Sequence, residues 1–367
     1  MRAVERQASW ALPEEAPEVH PRASTDPVPR ARASQGEGTV VRHRYCVIVT
    51  SRSFGVHTLD GRRILEEAGC EVTLAGAGGP WPEEAMCAFA RAADALIVGA
   101  DPVTKRVLEA GTRLRIVAKH GVGVDNIDLA AAAAREVVVT FAPGGSTEAV
   151  AEMTIALLLA LWRGVARADR AMRAHRWEPT LGRQARGRTL GVIGLGRIGR
   201  AVALLAQALG MKVLAYDVVE DQAFAAAHGI QYVPLEELLR SADAVSVHTP
   251  LTSSTRGLLS ARELGWMRPD AVLVNVARGG VVDERALAEA LAAGRLAGAG
   301  MDVFEREPPW SSPLLDLKNV LLTPHVAAYT PEAMARVDVT VASDVAAVLR
   351  GEQPAHRVVG SAAPAMQ

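Results

Sequence analysis

The sequence predicts an α/β protein with two parallel-sheet units, the first of them discontinuous. Three observations carry this. Short apolar strands alternate with helices over two stretches, about residues 45–140 and 189–322. A breaker cluster, Pro143-Gly144-Gly145-Ser146-Thr147, and a long apolar helix separate them. A glycine turn with G-x-G-x-x-G spacing opens the second stretch. Alternating strand and helix implies crossover connections, and therefore parallel strands.

Residues 1–42 are rich in Pro, Arg, Ala, Glu and Ser and lack apolar periodicity, which reads as a disordered extension. Tyr45–Thr50 is the first expected strand, followed by a helix over Gly61–Ala68 and a strand over Glu71–Leu74. A helix over Glu83–Ala93, a strand over Ala95–Val98, a helix over Thr104–Ala110 and a strand over Leu114–Ala118 continue the pattern to about Thr140. A single helix, about Glu148 to Ala174, is expected to pack against both units. The second run has expected strands at Gly191–Ile193, Val213–Tyr216, Ala244–His248, Val272–Asn275, Gly298–Val303 and Val320–Leu322. A last helix, about Pro331 to Leu349, is expected to return to the first sheet. The expected division is 43–142 with 325–352, then 143–324, with 353–367 as a tail.

The glycine turn has a physical logic. Gly194 lets the chain turn sharply after an apolar strand. Gly196 lets backbone approach a pyrophosphate, and Gly199 lets helix and strand pack closely. The helix that begins there offers free N–H groups and a positive dipole end. The next strand, Lys212–Tyr216, ends on Asp217, where a dinucleotide site needs a carboxylate for the adenosine ribose hydroxyls. A plain strand-to-helix turn does not need that acid.

Composition narrows the partners. The chain has 367 residues, 49% of them hydrophobic, and a net charge of −1, which leaves no electrostatic footprint for nucleic acid or an anionic membrane. Cys46, Cys70 and Cys87 show no C-x-x-C or metal spacing and read as free thiols of a reducing compartment. No apolar run approaches the ~18 residues of a membrane-spanning helix. The expectation is a cytoplasmic protein with no metal and no nucleic-acid or membrane partner.

Three further constellations carry chemistry. In Val274-Asn275-Val276-Ala277-Arg278-Gly279-Gly280 an arginine sits at the C-terminal mouth of a strand, where open α/β sheets bind ligands. A guanidinium there can hold a carboxylate bidentately, and a merely solvated arginine needs no flanking glycines. In Met301-Asp302-Val303-Phe304-Glu305-Arg306-Glu307-Pro308 carboxylates follow another strand. In Thr323-Pro324-His325 a histidine follows a third. It is a candidate general acid/base, and on sequence alone equally a structural histidine.

With these motifs the chain resembles the D-isomer-specific 2-hydroxyacid dehydrogenases, the family of phosphoglycerate dehydrogenase and hydroxypyruvate/glyoxylate reductase. The resemblance spans about residues 45–352. It rests on Gly121-Val122-Gly123-Val124-Asp125-Asn126-Ile127-Asp128, Gly194–Asp217, His248-Thr249-Pro250, Asn275–Asp283, Asp302–Pro308 and Thr323-Pro324-His325. It implies two Rossmann-like domains, NAD as cofactor, a small 2-hydroxy or 2-oxo acid as substrate, and a homodimer joined through the cofactor domains. It implies Arg278, Glu307 and His325 as the catalytic set, Glu307 rather than Glu305 because the family's glutamate directly precedes proline. It places the Val122 and Gly123 amides, with Arg278, on the substrate carboxylate. It places Gly194, Gly196, Arg197, Ile198, Gly199, Asp217, His248, Pro250, Val276, Ala277, Arg278, Asp302, His325 and Ala328 around the cofactor, with Asp302 on the nicotinamide carboxamide.

The chain also departs from that pattern. Phosphoglycerate dehydrogenases resemble one another in an Arg-Ser pair where this chain has Gly99-Ala100-Asp101, and an acid there is expected to repel a phosphate. Tyr329 reads equally as a lining or a packing residue. Lys119, just ahead of the glycine loop, reads as added charge for an anionic substrate or as a solvated side chain. Two other functions fit the resemblance: an NAD-sensing corepressor, and a D-3-phosphoglycerate dehydrogenase. Glu307 argues against the family's formate enzymes, which resemble one another in a glutamine there.

Overall fold

Residues 44–76 and 80–358 are described by the computed structural model of the chain; the expected N-terminal extension lies outside the described residues. The first unit alternates β1 (Tyr45–Val49), α1 (Asp60–Glu67), β2 (Cys70–Leu74), α2 (Glu83–Ala92), β3 (Ala95–Val98), α3 (Lys105–Ala110), β4 (Ile116–Lys119), α4 (Leu129–Ala134) and β5 (Val138–Thr140). Its strands are all parallel, in the order β2-β1-β3-β4-β5. Every residue of β3 is fully buried, as a central strand covered on both faces must be, which is why Ala95-Leu96-Ile97-Val98 has no polar alternation. Thr104 and Asp128 start α3 and α4 by accepting the N–H groups of Val107 and Ala131. The expected elements did not include α4 or β5. An unbroken alanine run and a three-residue strand give no periodic signal.

One long linking helix is not what forms. Gly164 adopts φ 62°, in the left-handed region, and divides it into α5 (Thr147–Arg163) and α6 (Val165–Arg173). A glycine is the residue that ends a helix at that conformation without a Cβ penalty. Leu157, Leu158 and Trp162 of α5 are buried against the second sheet. Towards the first unit the start of α5 makes contact, with Ala149 buried against Ala333 and Met334 of the final helix.

The second unit continues with β6 (Thr189–Ile193), α7 (Arg197–Ala208), β7 (Lys212–Tyr216), α8 (Gln222–Ala227), β8 (Gln231–Tyr232), α9 (Leu235–Ser241), β9 (Ala244–Val247), α10 (Ala261–Leu264), β10 (Val272–Asn275), α11 (Glu284–Ala292), β11 (Gly298–Met301) and β12 (Val320–Leu322). Its sheet order, β12-β11-β10-β9-β6-β7-β8, is parallel throughout and reverses direction between β6 and β9. Ligands of doubly wound sheets bind at that reversal.

The final helix, α12 (Pro331–Arg350), lies on the first sheet. Val337, Val341, Ala342, Val345, Val348 and Leu349 are buried with Val47, Val49, Ile97, Ile116 and Ala118. Arg336 donates to the Gly145 carbonyl at 3.0 Å and pairs with Glu148 at 3.2 Å, so the two chain crossings between the sheets run side by side. Part of the expected tail is ordered against β5. Val358 N–H donates to the Val139 carbonyl at 2.8 Å, and Arg357 bridges Thr140 antiparallel.

Candidate active site

The glycine loop after β6 takes the geometry its spacing implies. Gly194 has φ 92°, and a Cβ there would lie 2.9 Å from the His248 carbonyl. A Cβ on Gly199 would lie 2.0 Å from the Gly194 carbonyl oxygen, so helix and loop touch backbone to backbone. Around Gly196, in contrast, none of the described residues lies within 4 Å of a Cβ. That opening stands before the first turn of α7, whose N-cap, Gly196, has no side chain to bond the Arg197, Ile198 and Gly199 amides. Arg197 is exposed and Ile198 half-buried. Asp217, directly after β7, accepts Leu195 N–H at 2.7 Å and Val219 N–H at 3.2 Å, which ties the acid to the glycine loop. Across the reversal, His248 Nε2 and Thr249 Oγ1 are buried polar atoms without a partner among the described residues. Burial alone pushes the His248 imidazole down to about 3, so it is neutral. Pro250 beside them is exposed. An open cradle, uncapped amides and orphaned polar atoms fit a dinucleotide.

Arg278 leaves the end of β10 and reaches the first unit. Its Nε donates to Asp125 Oδ1 at 2.9 Å and its Nη1 to the Ala277 carbonyl at 2.7 Å. A Cβ on Gly123 would sit 1.4 Å from Arg278 Nη2, so the guanidinium fills the space that any side chain at 123 would need. Fully buried Asn275 shapes the loop: its Nδ2 donates to the Arg278 carbonyl and its Oδ1 accepts Ala277 N–H. Buried Val276 and half-buried Ala277 complete that turn. The Val122 and Gly123 N–H groups have no acceptor among the described residues. Burial pushes the Asp125 carboxyl up, but the Arg278 charge and hydrogen bond outweigh it and hold the group below the usual carboxylate range.

His325 follows β12 with φ 54°, a left-handed conformation that costs a non-glycine residue on the order of 1 kcal/mol or more. Asp302 holds it there. The Asp302 carbonyl accepts His325 N–H at 2.8 Å, and its fully buried carboxylate accepts Val326 N–H, Ala327 N–H and the Thr323 hydroxyl. His325 Nδ1 lies 2.7 Å from Glu307 Oε2, and Glu307 Oε1 accepts Phe304 N–H. Burial raises the Glu307 carboxyl, yet His325, Phe304 N–H and the Arg278 charge together hold it below its ordinary value. Glu305 turns instead toward Glu284 at the start of α11. Ala328 is half-buried beside the His325 loop, and Tyr329 stays largely exposed.

Three positions differ from expectation. Asp101 does not face the cleft. It is buried and accepts the Thr50 hydroxyl, Trp81 N–H and Gly99 N–H, so its charge is spent on loop structure. The Asp302 carboxylate, expected on the nicotinamide, is fully buried and engaged by the 323–327 loop. Lys119 is half-buried and tethered: its Nζ donates to the Gly99 carbonyl at 2.6 Å and to Asn126 Oδ1 at 2.9 Å. Asp125 and Asn275 were not singled out from the sequence. Asp125 lies 153 positions from the arginine it holds, and no periodicity spans that distance.

Fold, glycine loop and strand-end acid define a dinucleotide-binding protein. A profile for the D-isomer specific 2-hydroxyacid dehydrogenase NAD binding domain matches residues 155–327. A glyoxylate reductase of Korarchaeum cryptofilum is 46% identical over 265 residues, covering 70% of this chain and 80% of that protein. A D-3-phosphoglycerate dehydrogenase of Archaeoglobus fulgidus is 45% identical over 252 residues, 68% of this chain and 48% of that enzyme, so the chain spans about half that relative's length. The structure of an Aquifex aeolicus D-lactate dehydrogenase with NAD and lactic acid aligns with TM-score 0.75 and 30% identity, over 86% of this chain and 100% of that one. The chain belongs to the D-isomer-specific 2-hydroxyacid dehydrogenase family. Its cofactor is NAD.

Proposed function

We propose that the chain interconverts small, unphosphorylated 2-oxo acids and D-2-hydroxy acids with NAD(H), using His325 as general acid/base. The observation that carries this is the His325–Glu307 pair, 2.7 Å apart, within the field of the Arg278 guanidinium. Arg278 has Nη2 to offer once Asp125 and Ala277 have taken other N–H groups, and it lies against the free Val122 and Gly123 amides. Together they suit a carboxylate. Glu307 orients the imidazole through Nδ1, leaving Nε2 for the substrate oxygen. In reduction His325 donates that proton to the developing alkoxide, and in oxidation it takes it back. Arg278 polarises the same carbonyl. NADH, when bound, supplies the hydride. Gly196, Arg197 and Ile198 would hold its pyrophosphate and Asp217 its adenosine ribose. His248, Pro250, Val276, Ala277 and Ala328 would line the remainder of the cleft. For Asp302 we retain one function, fixing the 323–327 loop beneath the nicotinamide.

The loop Gly99-Ala100-Asp101 after β3 contributes no cationic side chain of its own to a phosphate, although Lys119 Nζ donates to its Gly99 carbonyl, and this supports an unphosphorylated substrate. The likeness to the Archaeoglobus enzyme favours D-3-phosphoglycerate as the second reading. Assaying glyoxylate, hydroxypyruvate and pyruvate reduction beside glycerate and D-3-phosphoglycerate oxidation separates the two. Oxidation of phosphoglycerate far faster than glycerate sinks the first reading. In the same assays NADH should exceed NADPH in kcat/KM by roughly 10²-fold, because Asp217 opposes a 2′-phosphate and like-charge contacts cost several kcal/mol. The neighbouring Val218 and Val219 are exposed and supply no cation. Equal use of NADPH would refute the assignment of Asp217.

We also propose a homodimer through the second unit. Val165, Met172, Trp177 and Leu181 leave apolar surface exposed on α6 and the segment after it, with Leu181 fully exposed. Light scattering that reports one chain per particle at micromolar concentration counts against it.

A further inference from the structure

The loops that carry Arg278 and Glu307 meet at a buried carboxylate with no part in the chemistry above. Glu284, the first residue of α11, is buried, and among the described residues no cation pairs with it. A carboxylate taken from water without a counter-charge is unfavourable unless hydrogen bonds satisfy its oxygens. Here both oxygens are used on one loop. Glu305 N–H donates to Oε1, and the Ser312 hydroxyl donates to Oε2 at 2.6 Å. Glu284 N–H returns a bond to Glu305 Oε1 at 3.4 Å. One side chain thus grips both ends of the 305–312 loop, and Glu307 lies between them. The loop is otherwise largely exposed, Trp310 included, so apolar packing does not fix it. The rest of the junction is backbone. A Cβ on Gly279 would lie 1.9 Å from the Phe304 carbonyl oxygen and 2.6 Å from Glu305 N, so the chain beside Arg278 rests directly on the start of the Glu307 loop. Phe304 also supplies the N–H that Glu307 Oε1 accepts.

We infer that Glu284 is a positioning residue that fixes the Glu307 carboxylate, and through it the His325 ring, in register with Arg278. The inference rests on the reading of His325 and Glu307 above. Arg278 lies in the connection from β10 to α11, and Glu284 ends it, so a loop tied to Glu284 is tied to the frame of the guanidinium. Hydrogen bonds to an ionised acceptor are stronger than neutral ones, and the start of a helix favours the negative charge. A displacement of about 1 Å at a reacting group costs on the order of 10²-fold in rate, so a grip on the loop matters even at a distance from the substrate.

The test is a double-mutant cycle on the full chain. It reads NADH-dependent reduction of whichever of glyoxylate, hydroxypyruvate and pyruvate the wild type turns over fastest. Glu284→Ala should lower kcat roughly 10- to 100-fold, the worth of a hydrogen bond to a charged group, with the KM for NADH unchanged. In a Glu307→Ala background the same substitution should cost less than about 2-fold, because the carboxylate it positions is already gone. Glu284→Gln keeps an acceptor for Glu305 N–H and should recover most of the loss. Ser312→Ala removes only the far bond and should lower kcat several-fold, with the same dependence on Glu307. It carries the cycle if Glu284→Ala does not fold. Equal losses in both backgrounds, or wild-type kcat in Glu284→Ala, overturn the inference alone. Wild-type turnover in Glu307→Ala overturns the reading of Glu307, and this inference with it.

Discussion

His325→Ala is expected to lower kcat roughly 10²–10⁴-fold while leaving NADH binding nearly intact, the usual scale for removing a general acid/base. The imidazole is exposed enough to meet a substrate and is held from behind by Glu307 at 2.7 Å. The pH profile gives the sharper check. Burial raises the Glu307 carboxyl, but the His325 hydrogen bond and charge, the Phe304 N–H and the Arg278 charge hold it below its ordinary value. Reduction needs the imidazolium, so its kcat/KM should fall as pH rises. Oxidation needs the neutral ring and should fall as pH drops. Glu307→Gln removes the carboxylate that holds Nδ1 and should lower kcat/KM in both directions. Near-normal turnover in His325→Ala, or wild-type kcat/KM in Glu307→Gln, would contradict the assignment.

Arg278→Lys should cost roughly 10²–10³-fold in kcat/KM, the scale for losing one preorganised donor to a developing oxyanion. An ammonium cannot bond Asp125, the Ala277 carbonyl and a carboxylate in the one plane that the guanidinium spans. Gly123→Ala should reproduce much of that loss with the arginine still present. Its Cβ would occupy the position of Arg278 Nη2, and the flexible end of the side chain is what must give way. Stability should therefore change little while activity falls. A Gly123→Ala protein with wild-type kcat/KM would show that the guanidinium does not dock on this loop during turnover.

The sequence made the strand–helix alternation and the glycine turn legible because both are local. Gly194, Gly199 and Asp217 act within one βαβ unit, and their spacing encodes their contacts. Arg278, Glu307 and His325 could be placed at strand ends, and resemblance separated Glu307 from Glu305. Hidden were the pairings between distant loops. Nothing near Asp101 shows that Thr50 and Trp81 claim its carboxylate, and nothing near Lys119 shows that Gly99 and Asn126 draw it inward. The break at Gly164 was missed for a different reason. Apolar periodicity continues across it, and a glycine within a helix-like pattern is also tolerated at a cost of about 1 kcal/mol.

The placement of α12 has a consequence for synthesis. The first sheet leaves the ribosome early but is covered by Val337, Val341, Val345 and Leu349, which leave it near the end. Each such side chain contributes roughly 1.5–3 kcal/mol on burial, together comparable to the ~5–15 kcal/mol that separates a folded domain from its unfolded chain. The usual N-terminal-first order is thus inverted: the second unit can close while the first waits for its cover. A chain ending at Thr330 should accordingly be cut rapidly by protease within residues 44–142 and resist cutting within residues 189–322.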